Sequence, residues 1–184
     1  MISPLLYILL IIFEVIFVFG IAMYMLFLIY SSLMGSPYVP SKNKLLKRIF
    51  DAVSFKKNSK FLDLGCGDGR VVMFVAKQYG ASSVGVDINP MIIAWAKLKT
   101  RFKNLKNTEF RVENIFKTDL SGYDVVYIFL MPKLLIKLKP KLIKETKKNA
   151  VLISHGFKIE GWEKYCYKTL SDDPFNTYFY RITR

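Results

Sequence analysis

Histidine is almost missing from this sequence: among 184 residues there is one, His155. A multi-histidine metal site is thereby excluded, and the sequence predicts no bound metal. Cysteine is scarce too. Cys66 and Cys166 are the only two, too few for a disulfide framework or a thiolate cluster. Cys66 lies inside a glycine-rich loop that a bridge would distort, so a reducing compartment is the natural setting. Acids are few, 14 Asp and Glu against 28 Lys and Arg, and the net charge is +14. Within that excess arginine is scarce, six Arg against 22 Lys. A surface built to read nucleic acid leans on Arg for bidentate contacts. The basicity therefore reflects codon bias or favours other anionic surfaces, including a cytoplasmic leaflet. No internal repeat is visible.

What is abundant is apolar side chain, 52% of the residues, concentrated at the N-terminus. Leu5 to Tyr30 carries a single charge, Glu14. At about 1.5 Å per residue such a helix exceeds the ~30 Å hydrocarbon core, so it spans with some tilt. A signal peptide would want a basic start, and Met1-Ile2-Ser3-Pro4 has none. Residues 1–33 read as a transmembrane anchor. Glu14 at mid-depth would cost ~3 kcal/mol; it sits shallow and protonated, or pairs with another protein's helix. Lys42, Lys44, Lys47 and Arg48 follow the segment. The positive-inside rule then places the N-terminus outside and the rest of this single-pass membrane protein in the cytoplasm.

Residues 34–41 form a linker, with Pro37 and Pro40 forcing extended backbone before them. It is either a spacer or a strap in which Tyr38 folds over a ligand. Ser41 can cap a helix over 42–53, where Leu45, Leu46, Ile49, Phe50 and Val53 share one face. From there to residue 184 the pattern alternates. Strands are expected at 60–64, 83–87, 108–112, 123–130 and 150–154, with helices at 69–79, 90–103 and 133–148. Pro140 is expected to interrupt the last helix and restart it. Residues 165–170 and 177–182 read as an antiparallel hairpin, turning through Ser171-Asp172-Asp173-Pro174. The fold class is α/β: a Rossmann-like parallel sheet closed by a C-terminal hairpin, preceded by one transmembrane helix.

The centre of the domain is Asp63-Leu64-Gly65-Cys66-Gly67-Asp68-Gly69, a strand running into a glycine loop and a helix. Backbone N–H groups at the helix start are expected to face the ligand. The third glycine comes one residue too early for a dinucleotide fingerprint. The stretch resembles motif I of the class I S-adenosylmethionine (SAM) methyltransferases. A second acid, Asp87, ends the next strand 22 residues beyond Gly65, where an acid reaches a ribose diol. Asp63, Gly65, Cys66, Gly67 and Gly69 are then expected around the amino-acid end of SAM, Asp87 on the ribose, and Asn89 with Met91 at the adenine edge. Asn114 stands where many relatives of this kind carry an acid toward the adenine amino group; Glu113 and Asn114 are otherwise an ordinary solvated loop.

Leu130, Met131 and Pro132 follow the fourth strand, where a methyl acceptor meets the cofactor. The polar residue used by enzymes that methylate base amino groups is absent there. Asp124 and Tyr127 match a D-x-x-Y pattern of certain lysine methyltransferases, but Asp124 opens the strand instead of leaving it. His155 is a candidate proton acceptor or a structural residue.

Pro37-Tyr38-Val39-Pro40-Ser41 after an apolar helix, motif I through Arg70, Phe129-Leu130-Met131-Pro132 with Leu138 and Leu142, and Val151-Leu152-Ile153-Ser154 with Phe157 and Trp162 recur in one order. They resemble the membrane-anchored protein-lysine methyltransferases of the adenine nucleotide translocase and ATP synthase c-subunit type and their prokaryotic relatives. The resemblance implies SAM as cofactor, a lysine of a membrane protein as substrate and a lipid bilayer as partner; the scarce Arg and the missing polar residue after strand four argue against nucleic acid. In a eukaryote it implies a domain facing the matrix from the inner mitochondrial membrane, although an Arg-rich presequence is lacking. A lipid, a quinone or another small membrane molecule as acceptor, or SAM binding without catalysis, are the alternatives. The seven lysines from Lys133 to Lys148 are a solvated face or a contact with headgroups.

Overall fold

Apolar side chains on every side of a helix leave no face for water, and the first unit of the chain, Met1–Tyr38, contains such a helix. The computed structural model describes residues 3–33, 43–171 and 174–182. Helix α1 runs Pro4–Leu33. It starts where Ser3 Oγ accepts the N–H of Leu6 at 3.2 Å, with Pro4 in the first turn. Its stretch Pro4–Leu26 is long and apolar enough to cross a membrane, and none of it is buried within the protein. The expected linker, with Tyr38 and Ser41, lies outside the described residues.

The second unit, Val39–Arg184, holds the remaining elements. These are α2 (Asn43–Asp51), β1 (Lys60–Leu64), α3 (Arg70–Tyr79), β2 (Ser82–Asp87), α4 (Pro90–Phe102), β3 (Thr108–Val112), β4 (Val125–Ile128), α5 (Pro132–Glu145), β5 (Val151–His155), β6 (Cys166–Leu170) and β7 (Thr177–Arg181). One sheet takes the order β3-β2-β1-β4-β5-β7-β6. The first five strands are parallel, and β7 and β6 add antiparallel at one end. The expected α/β class and closing hairpin are therefore observed; Asp172 and Asp173 of its turn lie outside the described residues.

Period-two alternation splits β1 between two cores. Phe61 packs with Leu46, Ile49 and Phe50 of α2, Val72 and Val75 of α3, and Ile93 and Ala96 of α4. Leu62 and Leu64 pack with Leu135, Leu138 and Leu142 of α5 and with Trp162. Right-handed crossovers on either side of β1 produce this division of the helices.

Two expectations change. Strand β4 is shorter than 123–130. Asp124 is spent on holding β1, its carboxylate accepting the Lys60 N–H at 3.0 Å and pairing with Lys147 at 2.6 Å. Its place at the strand entrance leaves it no part in the chemistry at the exit. Helix α5 is not interrupted at Pro140: Pro132 opens it and Pro140 lies inside it. The carbonyl that loses a bond belongs to Ile136, a residue 58% exposed, so water can satisfy it.

Candidate functional site

The site is built at the carboxyl ends of β1 and β2. After Leu64 the chain takes positive φ at Gly65, Gly67 and Gly69. Gly69 is the most constrained. It caps α3 at φ 73°, and a Cβ there would lie 2.4 Å from Cε1 of Phe110. Gly65 needs its bareness too, since a Cβ would stand 3.0 Å from Cδ2 of Leu130. Cys66 turns inward. Its sulfur fills the space above Gly85, where a Cβ would approach it to 2.8 Å. Burial pushes the Cys66 thiol well up, with the charges of Asp63 and Asp87 adding to the effect.

Five N–H groups of the loop, those of Gly65, Cys66, Gly67, Gly69 and Arg70, find acceptors within the protein. Gly65 and Cys66 both donate to the Val86 carbonyl at 2.9 Å, and Gly69 donates to Cys66 O at 3.0 Å. Gly67 donates to Oδ2 of Asp87 at 3.0 Å, and Arg70 to Oδ1 of Asp68 at 3.2 Å. A loop made this way has little to offer a phosphate. Instead three carboxylates gather. Asp63 is 2% exposed, and its carboxylate accepts no hydrogen bond among the described residues. Burial raises its pKa well above the usual carboxylate range, and the charges of Asp87 and Asp68 raise it further. Asp68 is held by Lys99 at 2.6 Å and Arg70 at 3.6 Å. An acid-lined, phosphate-indifferent loop suits a ligand carrying positive charge, as the sulfonium and ammonium of SAM do.

Asp87 ties the two loops together. Its second oxygen, Oδ1, accepts the Asn89 N–H at 3.0 Å, and the residue stays partly exposed, so lone pairs remain for a diol. Asn89 is buried, and its side-chain oxygen caps α4 by accepting from Met91 and Ile92 at 3.0 and 3.3 Å. Any adenine contact from Asn89 must therefore come from its amide nitrogen, while Met91 is 67% exposed. Asn114 follows β3, which brings it to the same sheet edge. Its side-chain oxygen accepts the Phe116 N–H at 2.9 Å, leaving its NH2 as the group able to donate to a ring nitrogen.

At the exit of β4 the wall is apolar. Leu130 is buried against Gly65, Met131 precedes α5 and Pro132 begins it. Phe129 meets the ring of His155 edge-on at 4.6 Å and that of Phe175 at 5.5 Å. His155 is 1% exposed and its Nδ1 lies 2.8 Å from the Thr177 hydroxyl. The structure thus gathers Asp63, Gly65, Cys66, Gly67, Gly69 and Asp87 in one place, with Leu130 beside them. The sequence reading passed over Asp68, Lys99, Phe175 and Thr177. Only Asp68 left a trace, as a third acid in the loop; the others arrive through pairings that local pattern does not encode.

The family model of the ANTKMT methyltransferase domain matches residues 63–166, a stretch containing every site residue named above except Phe175 and Thr177. A protein-lysine N-methyltransferase of Saccharolobus islandicus is 36% identical over 128 residues, covering 68% of this chain and 80% of that protein. A lysine N-methyltransferase of the ATP synthase c-subunit, from Caenorhabditis elegans, is 38% identical over 128 residues, covering 66% of this chain and 66% of that protein. Among solved structures, an RNA methyltransferase from Salinibacter ruber in complex with S-adenosyl-L-homocysteine superposes with a TM-score of 0.75 at 27% identity. The match covers 79% of this chain and 95% of that one.

Proposed function

This chain belongs to the ANTKMT methyltransferase family, and from that premise we propose that it methylates a lysine side chain of a membrane protein. It is a SAM-dependent enzyme. SAM supplies a methyl group on a sulfonium, a leaving group good enough that no covalent enzyme intermediate is needed. We assign Asp63, Gly65, Cys66, Gly67 and Gly69 to the amino-acid end of the cofactor, Asp87 to the ribose, and Asn89 and Asn114 to the adenine edge.

The observation that carries the lysine reading is the apolar exit of β4, beside the acid-lined loop. A lysine amine has a pKa of about 10.4 in water and must lose its proton before attack. Leu130, Met131 and the Phe129 ring would desolvate it, which favours the neutral amine. They would also hold it in line. His155 is read as a positioning residue, since its enclosed ring supports Phe129 and its Nδ1 is engaged by Thr177. A base-modifying role, suggested by the name of the Salinibacter structure, gains no support from an exit without a polar side chain.

Residues 1–33 are proposed as the anchor, 34–41 as the linker and 42–184 as the methyltransferase domain. The basic residues after α1 favour a cytoplasmic domain. The test is incubation of the purified full chain with native membranes and labelled SAM. Label in a protease-sensitive band, with methyl-lysine in its digest, is expected. Label in the organic extract would instead make the acceptor a lipid or quinone. No label despite measurable SAM binding would reduce the protein to a binding module.

A further inference from the structure

Helix α4 carries apolar side chains on two opposite sides. Ile93, Ala96 and Thr100 face the core and are buried. Directly across the helix stand Met91, Trp95, Leu98 and Phe102, 67, 55, 42 and 83% exposed. Their spacing of four, three and four residues stacks them in one stripe about three turns long. A helix on a soluble surface places charge there. Here charge is confined to the flanks, with Lys97 and Arg101 on one side and Lys99 and Lys103 on the other.

The stripe borders a basic groove. Lys99 and Lys103 line it together with Lys44 and Lys47 of α2 and Arg70 and Lys77 of α3. Among the described residues, Asp51, bonded to Lys47 and Tyr79, and Asp68, bonded to Lys99 and Arg70, reach these cations. Lys44, Lys77 and Lys103 have no carboxylate partner among the described residues. Apolar stripe and basic groove therefore form one continuous face. Its α2 part is the first described element after the apolar helix in the chain.

We propose that this face is a second membrane contact, seating the catalytic domain on an anionic bilayer surface. Trp95, Leu98 and Phe102 enter the headgroup–acyl boundary, as in helices that lie in the interface, and the groove lysines meet lipid phosphates. The stripe begins at Met91, two residues after Asn89 of the cofactor site. The contact would therefore lay α4, and the strands it runs beside, along the bilayer, with the open end of the sheet at the membrane surface where a membrane-embedded lysine emerges. The proposal deepens the membrane reading above, yet it does not depend on α1.

Trp95 provides the assay. The only other tryptophan, Trp162, is fully enclosed, and α1 has none. The full chain is reconstituted into phosphatidylcholine vesicles, with or without phosphatidylglycerol, in each case carrying brominated acyl chains as quenchers. Trp95 fluorescence is expected to shift to the blue and fall at least twofold with phosphatidylglycerol, and to change little without it. Trp95→Phe should remove the quenchable signal. Phe102→Glu, and Lys77→Glu combined with Lys103→Glu, should return quenching to the phosphatidylcholine level while SAM binding persists as proof of folding. Equal quenching in both lipids would overturn the proposal, as would no quenching in protein that floats with the vesicles. So would shielding of Trp95 in detergent that follows protein concentration, the mark of a second copy, or a stronger response to an RNA oligonucleotide than to phosphatidylglycerol. Failure of α1 to insert would appear separately, as protein that does not float with phosphatidylcholine vesicles. Failure of the lysine reading would appear in the labelling experiment.

Discussion

Replacing Asp87 by Ala removes a side chain that joins both loops of the proposed cofactor site, through Gly67 and Asn89. A hydrogen bond to a charged acceptor contributes ~1.5–3 kcal/mol, and an unpaired buried donor costs ~1–3 kcal/mol. Gly67 is half-buried, so water replaces part of what it loses. The cost to the unliganded fold should be about 1–2 kcal/mol, or roughly 2–8 °C in Tm for a domain of this size. SAM should lose more, because the acceptor proposed for its diol goes and the loop that should hold its amino-acid end loosens. Affinity should fall roughly 10- to 100-fold, about 1.4–2.8 kcal/mol. Titration calorimetry and thermal unfolding of the same preparation separate the two effects. Asp87→Asn retains a carbonyl acceptor, so it should keep more of the Tm than of the affinity. Affinity of Asp87→Ala within twofold of the parent would remove Asp87 from the site, whatever the Tm did.

Gly69→Ala should destabilise through two additive causes. The left-handed φ costs ~1–2 kcal/mol, and forcing a Cβ against Phe110 and Ala96 costs ~1–3 kcal/mol. The sum is a large share of the ~5–15 kcal/mol that holds a domain together. Chemical denaturation should show it, and adding Phe110→Leu should restore only the packing part; no shift in midpoint would contradict the geometry. Asp63→Asn should flatten a pH dependence. A carboxyl raised in the folded state stabilises fully below its unfolded value near 3.9 and loses that contribution as pH climbs through the raised value. The parent's unliganded Tm should therefore decline across that window relative to Asp63→Asn. The Tm gain on adding cationic SAM should grow with pH in the parent and not in the variant. Removal of residues 1–33 should slow methylation of the proposed membrane substrate far more than that of a soluble peptide from it. Equal slowing, measured side by side with labelled SAM, would deny α1 a targeting role.

The parallel strands were legible because a sheet covered on both faces writes itself as short apolar runs, such as Phe61 to Leu64 and Val151 to Ser154, bounded by turn residues. The acid at 87 was legible through its spacing from Gly65. The direction of the Gly65, Cys66 and Gly67 N–H groups was not, since their acceptors are Val86 O and the Asp87 carboxylate on a neighbouring strand, and pairing between strands leaves no mark in local order. Pro140 misled because a proline costs least where the freed carbonyl is wet, and exposure of Ile136 is a property of the fold. The outer stripe of α4 was hidden by its own period: apolar residues on two sides of one helix read as a single hydrophobic helix.

The inward turn of Cys66 makes the cofactor loop a clock. A thiol with a raised pKa, packed over Gly85, is nearly inert toward disulfide reagents while the loop keeps its shape. It becomes reactive only when Gly65 to Gly69 opens, so its modification rate measures how often that happens. Half-buried Cys166 on the edge strand supplies a built-in reference for general breathing of the domain. A ligand that clamps the loop slows the first rate without touching the second. The frequency of loop opening, and through it a ceiling on cofactor exchange, is thus readable from two native sulfur atoms without attaching a label.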